Sequence, residues 1–128
     1  MAWNCKLTPD ALPDFAPAVR LAEKAVAAKP RDNFRLNTLA GVLYRAGRYR
    51  EAVERLQESM KATSGGGSVW DWVWLTMAHA RLGETAEAEK WRGRVTRWVD
   101  AAGEGLAWDQ RLELQLLRRE ADTLLKRD

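Results

Sequence analysis

The chain has 128 residues, 46% of them hydrophobic and 30% charged, with a formal net charge of +3. That suits one globular domain with a core of its own, and the charge is too small and too evenly mixed to imply nucleic acid. The single cysteine, Cys5, excludes an internal disulfide, and no run approaches the roughly 18 apolar residues of a membrane span.

Residues 1–14 read as an irregular segment. Within it Thr8-Pro9-Asp10 is a short helix start, stopped by Pro13, and Trp3 and Leu7 are available to pack on the helices downstream. No basic region leads into an apolar run there, so no secretory signal is visible and a cytoplasmic location is expected. Asp14 is the expected cap of the first long helix, whose inner stripe is Phe15, Ala18, Val19, Ala22, Ala25 and Val26, with Pro30 as its stop. Asp32 then caps a helix over Asn33 to Ala46. In it Leu36, Leu39, Ala40 and Leu43 recur at helical spacing. Gly47 stands where a helix C-terminus needs a left-handed residue. The next stripe, Tyr49, Ala52, Val53, Leu56 and Met60, belongs to a helix that ends near Ala62.

Ser64 to Gly67 is glycine-rich and too short for a domain linker, so it is expected to be an enlarged loop. Ser68 and Asp71 form a capping-box pattern. The helix they open (Val69, Trp70, Trp72, Val73, Trp74, Leu75, Met77, Ala78) is apolar nearly all round, which predicts burial between neighbours. Gly83 closes it. Ala88, Trp91, Val95, Trp98 and Ala102 mark a further helix, which Gly103 and Gly105 break. The last helix, from about Trp108 to Lys126, has a broad apolar side containing Leu112, Leu114, Leu116, Leu117, Ala121, Leu124 and Leu125. No segment alternates as a strand does, so the predicted fold is all-α.

Placing Gly47 on Gly83, an offset of 36 residues, also places Leu36 on Trp72, Leu39 on Leu75 and Ala52 on Ala88. The glycine-rich loop can hold the excess over a period of about 34 residues. Ala18, Ala22, Ala25 and Pro30 match the second half of a third unit. On these residues the chain resembles the tetratricopeptide repeat (TPR) family over roughly Phe15 to Trp98. More narrowly, it resembles repeat modules at the C-terminal ends of multidomain bacterial proteins such as serine/threonine kinases. The resemblance implies a short helical-repeat array of about two and a half hairpins over residues 15–102. A capping helix over 106–127 closes it, and the whole forms one domain. Several positions depart from the family pattern: Ala40 and Thr76 replace glycine, Ser59 and Val95 replace alanine, Arg92 replaces a large apolar residue, and Leu43 and His79 replace tyrosine.

Little in the sequence points to catalysis. His79, the single histidine, lies on an inward stripe and reads as a packed, hydrogen-bonded core residue. No spaced His, Cys or acidic set accompanies it, so no metal and no cofactor is expected. Cys5 lacks a base placed to activate it. Trp72, Trp91 and Trp98 fall at core positions, whereas Trp70 and Trp74 lie off the stripe, where one of them is available to a groove. The SGGGS loop lacks the lysine and hydroxyl of a phosphate loop and follows no strand. Arg81, Arg92, Arg94 and Arg97 alternate with Glu84, Glu87 and Glu89, as on a solvated, ion-paired face.

The function expected is a non-enzymatic protein–protein interaction module that binds a peptide or helix in a concave groove. Such arrays build the groove from the first helix of each hairpin. That assigns it Asn37, Tyr44 and Arg45 from one unit and Trp70, Val73, Met77 and Arg81 from the next. Asparagine offers hydrogen bonds to a peptide backbone, arginine pairs carboxylates, and Tyr, Trp and Met supply adaptable area. The alternative is a structural or regulatory tail whose partner is an attached domain of the same polypeptide, such as a kinase. Neither reading calls for nucleic acid or membrane.

Overall fold

Every regular element of the structure, a computed structural model that describes residues 15–63 and 66–126, is helical, as the absence of alternation predicts. The expectations for Trp3, Cys5, Leu7, Thr8 to Asp10, Pro13, Asp14, Ser64 and Gly65 lie outside the described residues. The helices are α1 (Ala16–Ala28), α2 (Asn33–Arg45), α3 (Tyr49–Ala62), α4 (Val69–Arg81), α5 (Thr85–Ala102) and α6 (Trp108–Leu125), with a 3-10 turn at Gly103–Gly105. None of the described helices is long and apolar enough to cross a membrane. The chain falls into two compact units, Met1–Gly67 and Ser68–Asp128.

In the first unit α2 packs on both α1 and α3. Its buried residues therefore spread beyond the Leu36, Leu39, Ala40 and Leu43 stripe to Gly41, Val42 and Tyr44. Val19, Ala22 and Val26 face it from α1, and Ala52, Val53 and Leu56 from α3. The Asp32 carboxylate accepts the Arg35 backbone N–H at 3.2 Å, which satisfies one orphan donor of the first turn. Arg35 Nη1 in turn donates to the Ala25 carbonyl at 2.8 Å, near the end of α1. Ser59, where the family pattern has alanine, is fully buried, and its hydroxyl donates to the Asn33 carbonyl at 3.3 Å. A polar group is tolerated there because it is paired. On the surface, Arg48 binds Glu51 with two hydrogen bonds of 2.6 and 2.7 Å. That bond holds the Glu51 carboxyl below its usual range and raises the Arg48 guanidinium.

In the second unit the Ser68 backbone N–H donates to the Asp71 carboxylate at 3.1 Å, and the Asp71 backbone N–H is met in turn by the Ser68 side chain, a capping box. α4 packs on α5 and α6, and its residues from Asp71 to His79 are all buried. Thr76, where the family pattern has glycine, returns its hydroxyl to the Trp72 carbonyl at 2.9 Å.

The two hairpins close alike. Gly47 has φ +82° and Gly83 φ +77°. Each donates its N–H back to the third residue before it, Gly47 to Tyr44 at 3.0 Å and Gly83 to Ala80 at 3.1 Å. The residue after each reaches five back, Arg48 to Leu43 and Glu84 to His79, both at 2.9 Å. This is the Schellman motif, and the left-handed residue at its centre is why glycine stands there.

α6 packs chiefly on α4 and more lightly on α5. Leu114, Leu117 and Ala121 are buried in that contact. Gross burial of the two leucines contributes about 1.5–3 kcal/mol each. The broad apolar side read from the sequence is divided, because a helix meets its neighbours along a stripe. Leu124 and Leu125 are half-buried, while Trp108 (76% exposed), Leu112 (49%) and Leu116 (46%) face outward.

Candidate partner-binding surface

The first helices of the two hairpins carry the residues assigned to the groove. In the first unit, Asn37 and Tyr44 are seven positions apart on one face of α2, with Arg45 beside them. Asn37 and Arg45 are half-buried, and Tyr44 is buried at 3% exposure. The Tyr44 ring packs 5.3 Å from that of Tyr49 across the glycine turn, at 58°, and the Arg45 guanidinium lies 5.4 Å from the Tyr44 ring centre. Tyr44 thus packs the hairpin turn and is not open to a partner, which corrects the expectation.

In the second unit Trp70, Val73, Met77 and Arg81 also share a face by spacing. Trp70 is half-buried and Arg81 exposed, but Val73 and Met77 are buried at 1% and 0% exposure. Val73 borders a small void together with Val95 of α5 and Ala121 of α6. Packing of α6 on α4 therefore closes this face at Val73, and both Val73 and Met77 are core residues here. Trp74, the other tryptophan off the stripe, is buried at 2% exposure.

The second unit also holds contacts that local pattern missed. His79 is buried as expected, with Nδ1 2.7 Å from Glu84 Oε1 across the turn. Of the arginines read as an ion-paired face, Arg92 fits. Its Nη1 donates to Glu89 at 3.2 Å and its Nε to Asp122 of α6 at 3.0 Å. The bond from Glu89, with Asp122 adding, raises the Arg92 guanidinium above its ordinary value. Arg94 does not fit. Its guanidinium lies 4.5 Å from the Trp72 ring centre and 5.2 Å from that of Trp91. Trp91 Nε1 is buried without a hydrogen-bond partner among the described residues. The available signal was Trp91 three residues before Arg94, a spacing that brings side chains together on a helix. Among the described residues no group of three His, Cys, Asp or Glu side chains is placed to hold a metal ion.

Compared with known proteins, the chain matches no family model, no curated protein and no solved structure.

Proposed function

We propose that the chain is a non-enzymatic protein-interaction module of tetratricopeptide-like hairpins, acting in a bacterial cytoplasm. The observation that carries this reading is the shared closure at Gly47 and Gly83, with Ala52 and Ala88 buried at matching positions behind it. Hairpins of this kind use the first helix for recognition. Of the residues assigned to the groove, Asn37, Arg45, Trp70 and Arg81 keep accessible surface. Partner contact is assigned to them, with Tyr44, Val73 and Met77 as the packing that holds them in place. Arginine suits carboxylates, asparagine a peptide backbone, and tryptophan an apolar side chain.

The test is affinity capture with the immobilised full chain, read by quantitative mass spectrometry against Arg45→Ala and Arg81→Ala. Captured proteins should fall with each variant while the melting temperature holds. Equal recovery with all three proteins would overturn the assignment. The second reading, a regulatory tail of a larger protein such as a kinase, draws on the outward Trp108, Leu112 and Leu116, which an attached domain would cover.

A further inference from the structure

The end of α5, the 3-10 turn and α6 enclose a cleft of about 150 Å³. Val99, Leu106 and Leu114 give it an apolar lining. A Cβ on Gly103 would stand 3.1 Å from Val99 Cγ1, so glycine lets the turn lie close against α5. The Leu106 N–H donates to the Gly103 carbonyl at 3.2 Å, and Arg111 Nη2 donates to the Leu106 carbonyl at 3.2 Å. These bonds tie the turn to the start of α6, so the cleft is formed before anything enters it. An apolar cavity of this order accepts about one benzene-sized group.

The polar groups of the same cleft carry both signs of charge. Glu104 comes from the turn, and Arg111, Gln115 and Arg118 come from α6. Arg48, Arg55 and Arg92 elsewhere each bind a glutamate. Here, among the described residues, Glu104 pairs with neither arginine, although all three line one cleft, and Arg118 has no polar partner. A ligand with one charge meets only part of this set. An anion alone faces Glu104, and an amine alone faces two guanidinium groups. We propose that the cleft binds a free α-amino acid with a large apolar side chain, of phenylalanine size. Its side chain fills the space between Val99, Leu106 and Leu114. Its ammonium group meets Glu104, and its carboxylate accepts from the α6 guanidinium groups, with the Gln115 amide beside them. An apolar pocket with a few converging polar groups is the usual form of a small-molecule site. The end of a peptide carries only one of the two charges, so the free amino acid is favoured over it. This cleft is separate from the first-helix residues assigned to a partner and does not depend on that reading.

The test is a nuclear magnetic resonance titration of the isotope-labelled full chain, following the amides of Val99, Leu106 and Leu114. The probes are L-phenylalanine, phenylpropionate, phenylethylamine and L-alanine. L-Phenylalanine should saturate these shifts. Phenylpropionate and phenylethylamine, each lacking one charge, should bind about tenfold more weakly, because a charged hydrogen bond is lost. L-Alanine leaves the apolar space empty and should not saturate. Glu104→Gln should weaken L-phenylalanine about tenfold and strengthen phenylpropionate, since it removes attraction for one and repulsion for the other. Arg111→Gln/Arg118→Gln should erase the advantage of L-phenylalanine over phenylethylamine. Damage to the fold would weaken every probe alike, so these opposed changes read charge. Far-UV circular dichroism checks that each variant is folded. No saturation by L-phenylalanine at about 10 mM, ten times a millimolar Kd, would overturn the proposal. So would equal binding of L-phenylalanine and phenylpropionate, or a Glu104→Gln variant that weakens both alike. Tighter binding of N-acetylalanyl-phenylalanine than of L-phenylalanine would also overturn it, by giving the cleft to a peptide end.

Discussion

Arg92 Nε donates to Asp122 Oδ1 at 3.0 Å, a bond between residues 30 positions apart that ties α5 to α6. The resemblance to tetratricopeptide repeats leads to the expectation of a large apolar residue where Arg92 stands. An arginine can serve there because its stem packs while its head reaches a carboxylate on the next helix. Both side chains are partly exposed, at 37% and 42%, so the pair is expected to contribute modestly. A double-mutant cycle with Arg92→Met and Asp122→Asn should give a coupling of about 0.5–1 kcal/mol. A coupling indistinguishable from zero would mean that the pair does not fasten α6.

Gly47→Ala and Gly83→Ala should cost similar amounts. A Cβ at either position meets nothing within 4 Å, so the cost is that of a left-handed backbone alone, about 1–2 kcal/mol each. Urea denaturation measures it. Installing D-alanine at Gly47 by chemical synthesis should remove the penalty. Loss with D-alanine equal to that with L-alanine would mean that something besides backbone conformation selects glycine.

Ala52 and Ala88 are buried at 1% and 0% exposure. Ala52→Leu or Ala88→Leu should overpack the contact with the preceding helix and cost about 1–3 kcal/mol. A denaturation midpoint unchanged by either substitution would contradict the matched placement of the two alanines.

These matched features were legible because they are local. Leu36, Leu39 and Leu43 repeat with the helix period, Gly47 and Gly83 sit where a helix end needs φ above zero, and Asp32 and the Ser68–Asp71 pair cap where capping residues should. What was not legible depends on a third helix. The spacing of Val73 and Met77 places them on one face of α4 but does not say that both are buried, Val73 beside Ala121 of α6. Tyr44 looks like a groove residue until its ring is seen against Tyr49. The broad apolar side of α6 does not reveal which leucines meet α4 and which remain outside. The Arg92–Asp122 bond joins helices whose register no local pattern fixes.

Trp91 Nε1 offers a different kind of test, because it is a buried donor with no acceptor among the described residues. Trp91→Phe removes an unmet desolvation cost of about 1–3 kcal/mol and leaves a small void in its place. The two effects oppose each other, so stability should change by less than about 1 kcal/mol. A much larger loss would reveal a hydrogen bond that the indole makes in solution.

The proposal of a protein-binding module rests most directly on where a partner touches the chain. Photo-crosslinking from a benzophenone amino acid placed singly at Asn37, Trp70, Glu54 or Glu87 measures this in a bacterial lysate. Asn37 and Trp70 lie on the first helices of their hairpins, and Glu54 and Glu87 are exposed on the second. The expected result is a discrete protein adduct from Asn37 and from Trp70, and none from Glu54 or Glu87. Adducts confined to Glu54 and Glu87, or no adduct from any of the four positions, would contradict it.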